Sequence, residues 1–436
     1  MATRYWDAAA ETMCRGEIEE VQLERLRSTV DRALKTPFYR PRLEAVGISS
    51  AADIRGLADI RRIPYTTKDD LRTAYPYGMV AVDRRDIVRM HASSGTTGTP
   101  TVIYLTQADV ARAAEYMARS IAATGADSGD VFQNIVNYGL FTGGLVMHYG
   151  AERVGMMVIP SGTGNTARQI KLMRDFGTTT VHATPSYLLH IHSKLGEEGV
   201  GPGDLKLERA FCGAEPYTED TRRKIESLFG IDVFNSYGLS EMNGPGVAFE
   251  CEERDGMHLW EDGYILEVID RDTLEPVPDG ELGELVLTIL CRDAMPILRY
   301  RTRDLTSVLP EPCRCGRTHR RIARITGRSD DMLIINGINI FPSQIEEVVM
   351  AMPEVGTNYL ILVEKEGTLD RLTVKVEVGP RVFADDSRPL NALRDRIRAR
   401  LQASISINPR VELHEPGVLP VSEGKAKRVI DERIRL

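Results

Sequence analysis

The chain has no apolar stretch long enough to make a membrane-spanning helix. Its first residues, Met-Ala-Thr-Arg-Tyr-Trp-Asp, lack the apolar core of a signal peptide. Six cysteines in 436 residues are too few and too scattered for a disulfide scaffold. Positive charge is in deficit: the net charge is −8, so nothing electrostatic draws the chain to nucleic acid or an anionic membrane. Tryptophan occurs only at Trp6 and Trp260, and there is no internal repeat or low-complexity segment. These absences lead to the expectation of a cytoplasmic protein with no nucleic-acid or membrane partner.

What is present is an ordinary globular composition, 42% hydrophobic and 27% charged, in a length that suits two or three domains. The densest local signal is the run Ser93-Ser94-Gly95-Thr96-Thr97-Gly98-Thr99-Pro100-Thr101. Glycines let the backbone approach a ligand closely, and hydroxyls beside free N–H groups cradle phosphate oxygens. Strand-like segments flank it, Ile87 to Met90 before and Thr101 to Leu105 after. No Gly-Lys-Ser/Thr follows, so it is not a Walker A loop. Taken alone, a polar turn is an equally good reading.

Periodicity predicts an amphipathic helix over 15–38, with Leu23, Leu26, Val30 and Leu34 on one face. From about 105 to 235 helices and strands alternate, which implies a layered α/β domain. The helices are Gln107 to Thr124, Ala167 to Phe176 and Glu219 to Phe229. The strands are Val131 to Val136, Thr178 to Ala183 and Val233 to Ser236. Residues 258–310 change to turn-separated runs, Tyr264 to Ile269, Gly283 to Ile289 and Asp304 to Val308, and read as antiparallel β. A boundary is expected near 328. Beyond it, Ser343-Gln344-Ile345-Glu346 reads as a capping box opening a helix with Ile345, Val348, Val349 and Met352 inside. Strands at Leu360 to Val363 and Leu372 to Val378, and a helix marked by Leu390, Leu393, Ile397 and Leu401, complete a small βα unit.

Five further motifs follow the first in order. They are Gly213-Ala214-Glu215-Pro216, Tyr237-Gly238-Leu239-Ser240-Glu241, Tyr300-Arg301-Thr302-Arg303-Asp304, Gly327-Arg328-Ser329-Asp330-Asp331 and Ser422-Glu423-Gly424-Lys425-Ala426-Lys427. This ordered set resembles the adenylate-forming superfamily of acyl-CoA synthetases. Within it the chain is most similar to the phenylacetate–CoA ligases. The markers are Gly244-Pro245-Gly246 after the Tyr-Gly-Leu-Ser-Glu run, Tyr138 to Gly144, and Arg303 where most relatives have glycine. The resemblance covers nearly the whole chain.

The resemblance implies an N-terminal ATP- and acid-binding domain over 1–328 and a small mobile α+β domain over 329–436. It implies two half-reactions: an acyl-adenylate forms from ATP and a carboxylate, then coenzyme A displaces AMP. Two anions must meet in the first step, so charge neutralisation dominates. Lys425 is the expected catalytic cation, able to bridge carboxylate and α-phosphate, although its residue type alone reads as a surface lysine. Glu241 is the expected Mg²⁺ ligand. ATP would be held by Ser93, Ser94, Gly95, Thr96, Thr97 and Gly98, by Gly213, Ala214, Glu215 and Pro216, and by Ser236, Tyr237, Gly238 and Ser240. Tyr237 would stack on adenine, Asp304 would take the ribose hydroxyls, and Arg328 would reach phosphate or ribose. Asp330 would be the hinge. Tyr138, Phe141, Ala214 and Pro245 would form an apolar slot for a flat ring.

Outside these motifs, six residues separate Cys251 from His258, and Cys313 and Cys315 form a Cys-x-Cys in a proline-rich turn. Thiolates plus imidazole suit structural Zn²⁺, and reduced cysteines on a loop are the alternative. Cys14, Cys212 and Cys291 read as single core residues, and His182, His190 and His192 as structural. The favoured expectation is an aryl- or arylacetate–CoA ligase acting as a homodimer. The other readings are an adenylyltransferase of the coenzyme F390 synthetase type, acyl loading of a carrier-protein thiol, and a nucleotide-binding regulator without catalysis. Retention of Lys425 and Glu241 argues against the last.

Overall fold

The structure is a computed structural model that describes residues 5–93, 100–367, 369–379, 387–420 and 426–433. The chain divides into two compact units, one of residues 1–162 with 234–324 and one of residues 163–233 with 325–436.

After a short helix at Ala8–Glu11, the first unit has the helix Arg15–Ala33, which buries Ile18, Gln22, Leu26, Thr29, Val30 and Ala33. The helix is shorter than its sequence periodicity predicts: it stops at Leu34, and Leu23 and Leu34 flank the buried face rather than form it. Polar Gln22 belongs to that face because its amide donates to the carbonyls of Glu261 and Tyr264 at 2.9 and 3.0 Å. Strands Ile87–Ala92 and Val102–Thr106 pair antiparallel, so the Ser/Thr/Gly run does join two strands of a hairpin. The helix Gln107–Ala122 is capped by Thr106, whose hydroxyl accepts from the Asp109 N–H. Strands Val131–Asn134 and Met157–Ile159 are parallel, with the helix Thr142–Val154 between them.

From Phe234 onward the first unit is antiparallel β, so this pairing begins before the change of pattern near 258 and takes in the strand expected at Val233 to Ser236. Strand Asp232–Leu239 pairs with Gly244–Glu250, which pairs with Met257–Leu259, then Arg321–Ile322, then Val308–Leu309. A second sheet runs Tyr264–Ile269, Gly283–Ile289, Tyr300–Thr306. Where the sequence suggests one strand from Asp304 to Val308, the chain makes two, Tyr300–Thr306 and Val308–Leu309, in different sheets. The core includes Trp260, whose indole N–H donates to Ser120 Oγ at 2.9 Å. Beside it Arg119 and Asp262 form a buried ion pair at 2.8 Å.

The second unit carries the parallel strands Thr180–Ala183 and Arg209–Gly213 and the helices Thr166–Phe176, Pro185–Lys194 and Glu219–Phe229. His182 lies inside the first strand, and burial pushes it down to about 3, so it is neutral and structural. The unit continues as a four-stranded sheet in the order Arg410–His414, Leu369–Val378, Val355–Glu366, Val429–Asp431. Helices Pro342–Met350 and Ser387–Ile405 accompany it. The first of these does not start with a Ser343–Glu346 capping box. It starts at Pro342, whose fixed φ suits the first helical turn, and the Gln344 side chain accepts from Phe341 N–H at 2.9 Å. Glu346 is buried instead: it accepts from Thr218 N–H at 3.2 Å, Thr221 Oγ1 at 2.7 Å and Tyr359 Oη at 3.0 Å. Cys14 is exposed before the first long helix, not a core residue, whereas Cys212 and Cys291 are buried.

Candidate active site

In the first unit, Ser236, Tyr237 and Gly238 ride on the strand Asp232–Leu239, and the chain then reverses through a tight turn at Ser240–Met242. The reversal needs a glycine on each side. A side chain on Gly238 would collide with the Gly244 carbonyl, and Gly244 itself has φ +89°. The turn presents Glu241, which is buried and accepts from Tyr300 Oη at 3.2 Å. Tyr237 is buried too, and its phenol donates to Asp304 Oδ2 at 2.6 Å. Thus the strand Tyr300–Thr306 holds both Glu241, through Tyr300, and Tyr237, through Asp304. Ser236 Oγ is buried and has no hydrogen-bond partner among the described residues.

The Arg303 backbone sits at φ +68°, the left-handed region that favours glycine. Its side chain lies 3.5 Å from Glu284, a buried carboxylate that Arg301 already holds with two contacts of 2.9 and 2.8 Å.

Ser93 closes the base of the hairpin, its N–H bonded to Thr101 O at 3.0 Å and its hydroxyl to that of Thr101. Ser94, Gly95, Thr96, Thr97 and Gly98 lie outside the described residues.

The expected ring slot falls partly in this unit. Phe141 precedes the helix Thr142–Val154, and Gly143 and Gly144 leave room for the Asn137–Phe141 loop to lie against its first turn. A side chain on Gly143 would strike the Phe141 ring, and one on Gly144 would meet the Asn137 carbonyl at 2.5 Å. Gly244, just before Pro245, packs equally tightly on Thr142. So Tyr138, Phe141 and Pro245 are gathered around the start of one helix. The Tyr138 phenol accepts from Asn134 Nδ2 at 2.8 Å and donates to His148 Nδ1 at 3.2 Å. His148 Nε2–H then donates to Glu152 at 2.9 Å. Burial pushes Tyr138 up to about 12, so the phenol stays neutral. The sequence reading misses this relay, although His148 and Glu152 stand one helical turn apart and could have been paired on that spacing. It also misses Thr142, whose buried Oγ1 has no partner among the described residues.

In the second unit, Gly213 ends the strand Arg209–Gly213 and Ala214 turns it at φ +68°. Glu215 accepts from Ser186 N–H and from Ala426 N–H, each at 2.8 Å. That second bond fixes the residue directly after Lys425, which itself lies outside the described residues. Pro216 is exposed. Arg328 binds Asp330 through two contacts of 2.8 and 2.9 Å, so the expected nucleotide contact and the expected hinge are tied to each other.

The model of the AMP-binding enzyme family matches residues 32–288, and that of the AMP-binding enzyme C-terminal domain matches residues 337–433. A phenylacetate–coenzyme A ligase of Thermus thermophilus is 47% identical over 97% of this chain and 98% of its own. The chain belongs to the phenylacetate–CoA ligase family. Among solved structures, 2-hydroxyisobutyryl-CoA ligase in the postadenylation state with 2-HIB-AMP superposes with a TM-score of 0.93 at 31% identity, covering 99% of this chain and 93% of the other. The same ligase in the thioesterification state, with 2-HIB-AMP and CoA, gives 0.73 over the same shares at 31% identity. The α/β fold with an AMP-binding domain and a C-terminal domain is that of the family. No helix among the described residues is long and apolar enough to cross a membrane.

Proposed function

We propose that this protein is an AMP-forming acid–thiol ligase that activates an aryl or arylacetic acid of phenylacetate type and transfers it to coenzyme A. Near-full-length identity to phenylacetate–coenzyme A ligases is the observation that carries this reading. In the first step a carboxylate oxygen bonds to the α-phosphorus of ATP and the bond to the pyrophosphate oxygen breaks. In the second, the coenzyme A sulfur bonds to the acyl carbon, AMP leaves, and the thiol proton is released. No large carbon–carbon chemistry is needed, so the protein's task is to position and to neutralise charge.

Lys425 supplies the cation between carboxylate and α-phosphate. Ala426, the residue after it, is held by Glu215, which supports that assignment. Glu241 fits Mg²⁺: its carboxylate offers the hard oxygen that the ion prefers, in a buried position where Tyr300 Oη donates to it. Bound there, Mg²⁺ would neutralise phosphate charge. Asp304, held by Tyr237, takes the ribose, and the Ser93 to Gly98 loop cradles the phosphates. Tyr138, Phe141, Ala214 and Pro245 receive the ring. Zinc on Cys251, His258, Cys313 and Cys315 takes no part in either step. The division of labour is a 1–328 adenylation domain and a 329–436 domain that swings about Asp330. The matches to the two family models, one ending at 288 and the other starting at 337, support it. We place the enzyme in the cytoplasm as a homodimer.

The test is pyrophosphate release with Mg-ATP across aryl and arylacetic acids, with and without coenzyme A. Sustained turnover with an arylacetate only when coenzyme A is present supports the reading. Release that ignores coenzyme A, or turnover with none of the acids, overturns it.

A further inference from the structure

We propose that Cys251, His258, Cys313 and Cys315 bind one Zn²⁺ ion, and that this ion staples the N-terminal segment to the β region of the first unit. All four residues are buried, and their ligand atoms all lie within 4.8 Å of one another. Cys251 Sγ and Cys313 Sγ are 3.7 Å apart, and Cys315 Sγ and His258 Nε2 are 3.3 Å apart. A tetrahedral zinc with bonds of about 2.3 Å to sulfur and about 2.0 Å to nitrogen has S···S edges near ~3.8 Å and S···N edges near ~3.5 Å. The 3.7 Å separation is far beyond a disulfide bond, and all six cysteines are free.

Four buried thiol and imidazole groups could be simple packing. The surroundings argue for a metal instead. His258 Nδ1 donates to the His319 carbonyl at 3.1 Å, which fixes the tautomer and leaves the Nε2 lone pair facing the sulfurs. The Arg317 N–H points at Cys315 Sγ at 3.4 Å, as a backbone donor does toward a thiolate. Three soft sulfurs and one imidazole suit Zn²⁺ and exclude the hard cations Mg²⁺ and Ca²⁺. Binding would release three thiol protons to solvent and leave a site of net charge −1.

The ligands come from three places: the end of strand Gly244–Glu250, strand Met257–Leu259, and the turn before Arg321. That turn holds the start of the chain. Tyr5 Oη donates to the Cys315 carbonyl at 3.1 Å, and Arg317 binds Glu11 at 2.6 Å. Thr318 N–H donates to Glu11 O at 3.1 Å, and His319 Nε2–H donates to Ala10 O at 2.9 Å. Between strands Val308–Leu309 and Arg321–Ile322 the turn has no regular ladder of its own, so the ion would be what fixes its shape.

The experiment is metal analysis of the full-length protein purified without chelators. One zinc per chain is expected, lost in Cys313→Ser and His258→Ala and kept in Cys291→Ser, a buried cysteine outside the cluster. Because a ligand variant can fail to fold, wild-type protein from cobalt-supplemented, zinc-depleted medium is the second measurement. It should show the absorption bands of tetrahedral, thiolate-ligated Co²⁺. Hydrogen exchange at residues 5–11 should rise when the metal is removed. Substoichiometric zinc together with no cobalt spectrum overturns the proposal, as does a Cys251–Cys313 disulfide found by mass spectrometry. None of these readouts depends on which acid the enzyme activates.

Discussion

Tyr237 donates its phenolic hydrogen to Asp304 at 2.6 Å, joining two strands that are 67 positions apart in the chain. Both groups are buried, so the bond is an anchor inside the site rather than a surface contact. It fixes one carboxylate oxygen of Asp304, the residue assigned to the ribose.

Tyr237→Phe removes this hydrogen bond from the buried carboxylate, a cost of about 1–3 kcal/mol. The expected outcome is a raised KM for ATP, with the KM for the acid changed less. Asp304→Ala should raise the ATP KM further. Initial-rate kinetics with each substrate varied in turn check this. An unchanged ATP KM in both variants would remove the ribose assignment.

Lys425→Ala should slow acyl-adenylate formation by ~10²–10³-fold, the loss typical of one charge-stabilising donor. Glu215→Ala removes the tether on Ala426 together with the bond from Ser186 N–H, and should slow the same step by roughly tenfold, the effect expected for lost charge-assisted hydrogen bonds. Thioester formation from supplied acyl-adenylate should be spared in Lys425→Ala. Single-turnover assays of the two half-reactions separate these effects.

Two glycine-related substitutions should move in opposite directions. Gly238→Ala drives a methyl group into the Gly244 carbonyl and should destabilise the first unit by about 3 kcal/mol or more. Arg303→Gly relieves a φ of +68° and gives up a 3.5 Å contact that Arg301 duplicates, so stability should stay level or rise by up to ~1 kcal/mol. Thermal unfolding of both variants beside the wild type reads the difference. A loss in Arg303→Gly larger than 1 kcal/mol would show that the guanidinium matters more than the strain.

Lys224 carries a pH dependence whose sign is fixed by its burial. Its ammonium donates to the carbonyls of Val355 and Gly356 at 2.6 and 2.5 Å, yet burial lowers it to about 8. In the unfolded chain it should titrate near its ordinary value of 10.5. Below pH 8 both states are protonated and the burial cost is paid in full. Between about 8 and 10.5 the unfolded chain keeps the proton that the folded chain has lost, so this contribution to stability grows as pH rises. It disappears again as pH falls through 8. Denaturant unfolding of wild type and Lys224→Met from pH 7 to 10 should show a positive slope difference, absent in the variant.

Much of the fold was readable in the sequence because local pattern and final packing agree. The helix Glu219–Phe229 and the strands Tyr264–Ile269 and Gly283–Ile289 match their predicted bounds. Failures mark places where distant contacts override local preference. Ser343 and Glu346 have the spacing of a capping box, but Pro342 begins the helix and Glu346 turns inward to Thr218, Thr221 and Tyr359. Gln22 looks like a surface residue until the carbonyls of Glu261 and Tyr264 meet it. In the site, the motifs named Tyr237, Glu241 and Asp304 without showing that Asp304 accepts from Tyr237 or that Tyr300 holds Glu241. The relay behind Tyr138 was legible only as far as the His148–Glu152 spacing.

The sequence by itself determined the family and the order in which its motifs follow one another along the chain. Those are properties of residue type and spacing, which survive without coordinates. Only tertiary structure decided which carboxylate meets which phenol, why position 303 must tolerate a left-handed backbone, and that four cysteine and histidine ligand atoms converge. The 55-residue gap between His258 and Cys313 carries no local signal of their meeting. It is closed by the pairing of Met257–Leu259 with Arg321–Ile322, and such long-range pairing is set by the burial of whole sheets rather than by any short stretch of chain.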